Sequence, residues 1–214
     1  MKDKRRVTAF VVIAAALLVA AGGLMASNMG FKLNYPVKAS SDPNSNSGRN
    51  AVGLPYNRQV GIDTAKQFLD DVSASGLQGL QLEKFDPATD TNAPYPGPAG
   101  DFALAASEGY LLRVNVSGDY IIVGSHDPGF TVTLNGTSTS NSGRTRYSHP
   151  YHGVAATAAE LLAETGGIQL EKFDPATDTN APYPGPAGDF ALVPGEAYLI
   201  RVIGANTQFV PAHY

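Results

Sequence analysis

The chain has 214 residues, a net charge of −4 and no cysteine. Without thiols it cannot form disulfides, thiolate metal sites, covalently attached haem or cysteine-held iron–sulfur clusters. An acidic balance also lacks the basic footprint that nucleic acid or an anionic membrane surface requires.

Lys2, Lys4, Arg5 and Arg6 precede an apolar run from Val7 to Met25, with small residues around Ala26. This is the layout of an export signal cleaved after Ala26. The run is also long enough to cross a bilayer as a helix, so retention as an N-terminal anchor is the alternative. Either outcome leaves the positive end in the cytoplasm and the rest exported, in the periplasm, on the cell surface or outside the cell. Contact with a membrane is expected only through this segment, if it stays uncleaved.

Beyond the leader the sequence is written twice. Gln81 to Leu104 recurs letter for letter as Gln169 to Leu192, and Ser45 to Arg49 (SNSGR) recurs as Ser140 to Arg144. A repeat this long is one structural unit duplicated. We divide the chain into residues 1–26 as signal peptide or anchor, 30–128 as the first unit and 129–214 as the second.

Each unit opens on a strand. Phe130, Val132 and Leu134 alternate with Thr131, Thr133 and Asn135, and Phe31 and Leu33 play the same part in the first copy. A Ser/Asn/Gly-rich loop follows, with the composition of a turn. Then comes the single helix of each unit. Ala65, Phe68, Leu69 and Val72 form one stripe, capped by Asp63 or Thr64 and ended by Gly76; Ala158, Leu161 and Leu162 repeat it before Gly166. The duplicated core reads as a strand through Leu82 to Phe85, a turn at Asp86-Pro87-Ala88-Thr89 and a proline-rich loop. In GYLLRVNV, Tyr110, Leu112, Val114 and Val116 alternate with Leu111, Arg113 and Asn115, which predicts a half-buried strand. Tyr120 to Val123, and Gln208 to Val210 in the second copy, close each unit. The expected fold is α+β and β-rich: two tandem small modules, each a largely antiparallel sheet or sandwich with one packed helix, after a hydrophobic leader helix.

The succession LPY, a TA-containing helix start, EKFDPATDT, DFAL and GEAYLIRV resembles a repeat of exported bacterial and archaeal cell-surface proteins, usually found in tandem. The first copy departs from it at Ser107-Glu108-Gly109-Tyr110, where the family favours a Pro-Gly-Glu-Ala/Gly-Tyr turn. The resemblance implies a surface location and a modular architecture, with no catalytic residues and no cofactor.

The sharpest candidate for chemistry is the loop carrying Asp86, Asp90, Asn92 and Tyr95, with its copy Asp174, Asp178, Asn180 and Tyr183. Oxygen ligands at that spacing could hold calcium, although the ladder and closing Glu of an EF-hand loop are missing; turn formation needs the same residues. Tyr95, between two prolines, is suited to covering its own core, anchoring a protein contact or stacking on a sugar. His149 and His152 flank a proline, which argues against a paired zinc site, and the adjacent Ser125-His126-Asp127 cannot converge as a catalytic relay. Glu83, Lys84, Glu108 and Arg113 recur as Glu171, Lys172, Glu196 and Arg201 and read as solvated charges or ion pairs. No phosphate loop, nucleophile elbow, HExxH or dinucleotide fingerprint is present. The sequence therefore predicts a non-enzymatic structural or adhesive protein without metal or cofactor. Its expected partners are other surface proteins or its own copies, and the alternative is a bivalent module for carbohydrate or calcium.

Overall fold

The computed structural model describes residues 31–54, 57–58, 61–125 and 129–212. The leader, His126 and His213 lie outside the described residues.

In the first copy the elements run β1 (Phe31–Val37), β2 (Arg49–Gly53), β3 (Asn57–Arg58), α1 (Ala65–Ala74), β4 (Gly79–Asp86), β5 (Thr91–Tyr95), β6 (Gly109–Val114) and β7 (Gly118–Ser125). The second copy supplies β8 (Val132–Leu134), β9 (Arg144–Ser148), α2 (Ala158–Thr165), β10 (Gln169–Asp174), β11 (Thr179–Tyr183), β12 (Ala197–Arg201) and β13 (Thr207–Phe209). Strands β2-β6-β4-β5 make a four-stranded sheet, and β9-β12-β10-β11 make its counterpart in the same order. Smaller sheets, β1-β7-β3 and β8-β13, complete the set. All strand pairs are antiparallel. The molecule is thus β-rich α+β, as the periodicity predicts.

Alternation decides which faces are dry. Along β1, Leu33, Tyr35 and Val37 are buried while Lys32, Asn34 and Pro36 are exposed. All four stripe residues of α1 are buried, and removing Phe68 and Leu69 from water contributes roughly 1.5–3 kcal/mol each. Thr64 caps α1, and its hydroxyl accepts from Gln67 N–H at 3.3 Å. The Gln67 amide oxygen accepts in return from Thr64 N–H at 3.0 Å, a reciprocal capping box. Asp101 and Asp189, from the repeated DFAL motif, accept from Lys66 N–H and Ala159 N–H at 2.8 and 2.9 Å. The repeated aspartate thus satisfies a donor that each helix start leaves free.

Buried apolar residues fall into two separate clusters. One gathers β1, β2, α1, β4, β6 and β7 around Phe68, Tyr110 and Tyr120; the other gathers the second-copy elements around Leu161, Tyr198 and Phe209. Several details differ from the sequence reading: the strand from Gly109 stops at Val114, leaving Val116 exposed, and Leu162 is only half-buried. Arg49–Gly53 and Thr91–Tyr95 are strands, as are their copies, where the sequence reading placed the end of the Ser/Asn/Gly-rich loop with a short apolar segment, and the start of the proline-rich loop. Strand β6 is also buried on both faces rather than half-buried, since Leu111 is 2% exposed, as is Leu199 on β12. Neither leucine belongs to either core cluster; both sit on faces turned towards the other copy.

Candidate functional site

The residues that recur most strictly meet where the two copies touch. Arg49 Nε lies 2.8 Å from Glu83 Oε1 in its own copy, and its Nη1 lies 3.1 Å from Asp178 Oδ2 in the other. Arg144 does the reverse, 3.0 Å from Glu171 in its own copy and 3.2 Å from Asp90 in the first. Ser47 Oγ donates to Asp178 Oδ1 at 2.7 Å and Ser142 Oγ to Asp90 Oδ1 at 2.5 Å. On the main chain, Asn46 N–H reaches the Pro175 carbonyl at 2.8 Å, and Asn141 N–H reaches that of Pro87 at 3.0 Å. Every contact from SNSGR to DPATD has its reciprocal, the pattern of a self-complementary twofold interface.

The backbone closes the seam. Gly53 N–H donates to Gly195 and Ser148 N–H to Ser107. Gly109 is needed there, because a Cβ on it would collide with the Ala197 methyl. Glu83 and Glu171 are 2% and 5% exposed. Of the two sequence alternatives, they are ion-paired and not solvated. Burial pushes the Glu171 carboxyl above the usual range, against the pull of Arg144. Arg146 also acts on Glu83 and Glu171, but the ion pair of each buried carboxylate is with the adjacent Arg49 or Arg144, and removing that partner is costly.

The candidate loop residues divide by role. Asp90 and Asp178, both in the left-handed backbone region at φ 57°, have each carboxylate oxygen engaged by a serine or an arginine of the other copy. Asn92 accepts from Arg146 Nη2 at 3.4 Å; Asn180 sits on β11 opposite Phe173. Tyr95 and Tyr183 are half-buried and pack on the first and second core clusters. Asp86, the remaining carboxylate of the loop, folds the turn: the Thr89 hydroxyl and the Ala88 N–H hold its carboxyl below the usual range. Among the described residues no group of three His, Asp or Glu side chains is placed to share a metal ion.

The seam is not perfectly symmetric. Arg146 crosses it from β9, with its guanidinium 5.8 Å from the centre of the Phe85 ring and its Nε unpartnered. It is 3% exposed, and burial lowers its pKa to about 10. The matching residue of the first copy is Ala51. Two grooves flank the seam at equivalent places. One, of about 260 Å³, is walled by Arg146, Glu108 and β8. The other, of about 310 Å³, is walled by Ala51, Phe173, Glu196 and β1. His149 is buried where the first copy has Leu54; burial lowers its pKa to about 4, against a hydrogen bond with the Ala155 backbone.

Sequence reasoning singled out Asp90 and Asp178 but gave them no partner, and passed over Arg49, Arg144 and Arg146. The usable signal was that SNSGR and DPATD are both strictly repeated although neither supplies apolar residues to a core. No family model matches the chain, and no match is found among curated proteins or solved structures.

Proposed function

We propose that the protein is a non-enzymatic, exported structural element: two near-identical modules, residues 30–128 and 129–214, locked into one double body that acts as a spacer or adhesive unit on the cell surface. The observation that carries this reading is the reciprocal clamp of Arg49 with Asp178 and Arg144 with Asp90. The polar groups best suited to hold an ion are engaged in bracing the halves. The resemblance to tandem surface repeats and the charged, apolar leader support the location.

The test is to recover the native protein from fractionated cells and read its first residue. A mature chain beginning at Ser27 in an envelope or medium fraction is expected; a cytoplasmic chain starting at Met1 overturns export. The calcium alternative is checked on the same material by titration. A saturable rise in melting temperature, lost when Asp90 and Asp178 become Asn, would replace the structural reading with a metal-binding one.

A further inference from the structure

The acceptor pattern for N-linked glycosylation, Asn-x-Ser/Thr with x other than proline, occurs twice in the chain, as Asn115-Val116-Ser117 and Asn135-Gly136-Thr137. A transferase needs the asparagine amide in solvent with room for a bulky sugar, so the surroundings of the two decide between them.

Asn135 is closed in. It directly follows β8, its Nδ2 donating to Thr145 Oγ1 at 3.1 Å and its backbone N–H to the same oxygen at 2.7 Å. The next residue, Gly136, is buried, and a Cβ on it would collide with the Gly204 and Ala205 carbonyls. The Thr137 hydroxyl accepts from Gly204 N–H at 2.9 Å. A sugar on that amide would displace the Thr145 bond and crowd the segment.

Asn115 lies open. With Val116 and Ser117, both also exposed, it forms the turn between β6 and β7. The backbone of this turn is pinned, Asn115 N–H on the Gln78 carbonyl and Val116 N–H on that of Leu77, both at 3.1 Å. The side chain donates from Nδ2 to Gln78 Oε1 at 2.8 Å, an exposed contact whose replacement costs little net free energy. The second copy gives an independent view of the place. Its residue there is Ile203, which is 62% exposed, so the position projects into solvent whichever side chain it carries.

We propose that Asn115 is the attachment site of an N-linked glycan and that Asn135 stays bare. The donor is an oligosaccharide activated as a polyprenyl phosphate or pyrophosphate ester. The Asn115 amide nitrogen gives up a proton to a base of the transferase and bonds to the anomeric carbon. The bond from that carbon to the phosphate oxygen breaks, and the lipid phosphate leaves with the electron pair. A lipid-linked donor is used on the outer face of the membrane, so the inference rests on the export reading. It deepens that reading by giving the first module an outer face that the second lacks.

The experiment is mass spectrometry of the chain purified from its own cells, with the first residue read on the same sample. Cleavage before aspartates cuts at Asp119 and Asp127, which puts Asn115 and Asn135 on different fragments. The Asn115 fragment should carry a saccharide mass that is lost in Asn115→Gln and Ser117→Ala and kept in Ser117→Thr and Asn135→Gln. An exported chain whose Asn115 fragment has only its peptide mass overturns the site and leaves export standing. Saccharide on the Asn135 fragment, or saccharide that survives Asn115→Gln, overturns the choice of asparagine. A cytoplasmic chain starting at Met1 removes the export reading and the glycan with it.

Discussion

On strand β2 the first copy carries Arg49 and Ala51; on strand β9 the second carries Arg144 and Arg146. The outer pair is the same residue with matching ion-pair partners, although only Arg49 Nε makes an aligned hydrogen bond to its glutamate. The inner pair has become alanine in one copy and a buried cation in the other. The same contrast holds at Leu54 and His149, and at Gly109 and Ala197. The residues of the reciprocal clamp are kept alike, because each of its contacts uses both versions of a motif, whereas Arg146, which also reaches Asn92 in the opposite copy, has no counterpart. Residues that fill space beside the seam can differ, provided the neighbour changes in step, as Gly109 does under Arg146.

Breaking the shared part should have the largest effect. Arg49→Ala leaves Glu83 buried without its cation, and Arg144→Ala does the same to Glu171. Each should cost about 3–5 kcal/mol, read as a shift of the urea midpoint. If the clamp is as reciprocal as its geometry, the two losses will match within error. Unequal losses would show that one copy carries the joint.

Of intermediate size is the effect of His149. Its folded pKa of about 4 lies below the unfolded value, so between about pH 6.5 and 4 the unfolded chain takes up a proton that the folded one refuses. Stability is therefore fully present above that window, falls as the pH drops through it and levels off below, a loss of up to about 3 kcal/mol. His149→Leu, which borrows the residue of the first copy, should remove that acid-side slope in pH-dependent denaturation. An unchanged slope would assign it to other groups.

The smallest effect belongs to the two helix starts. Thr64→Ala should cost about 1 kcal/mol, because the Gln67 N–H loses the Thr64 hydroxyl, while the Gln67 side chain keeps the backbone N–H of Asp63 and Thr64. In α2 the residue at the Gln67 position is Glu160, which accepts instead from Ala156 N–H at 2.7 Å. Thr157→Ala removes the equivalent bond from Glu160 N–H, also 3.3 Å long, and should cost about the same, which thermal melts of the two variants check.

The helices, the opening strands and the turn at Asp86 were legible because each is written locally: a stripe of Ala65, Phe68, Leu69 and Val72, an alternation, an Asx turn. Strands β2 and β5 were not, since Arg49–Gly53 and Thr91–Tyr95 are too polar or too rich in proline to alternate, and they are strands only because β6 and β4 pair with them. The second dry face of β6 was hidden for a similar reason. Leu111 looks like one apolar residue on a wet face until a second sheet is laid against it. Asp90 carried a signal of use but not of partner, because its partner Arg144 lies far along the chain and only the joint repetition of the two motifs connects them.

Interchangeable motifs also carry a kinetic hazard. Asn46 and Asn141 recognise the same carbonyl on either DPATD loop, so a freshly unfolded half has no chemical means of telling its own sister from that of a neighbouring molecule; only the tether, with an effective concentration on the order of millimolar, favours the sister. Refolding from dilute solution should therefore give closed monomers, whereas refolding in a crowd should trap exchanged pairs whose joints are indistinguishable from the proper ones.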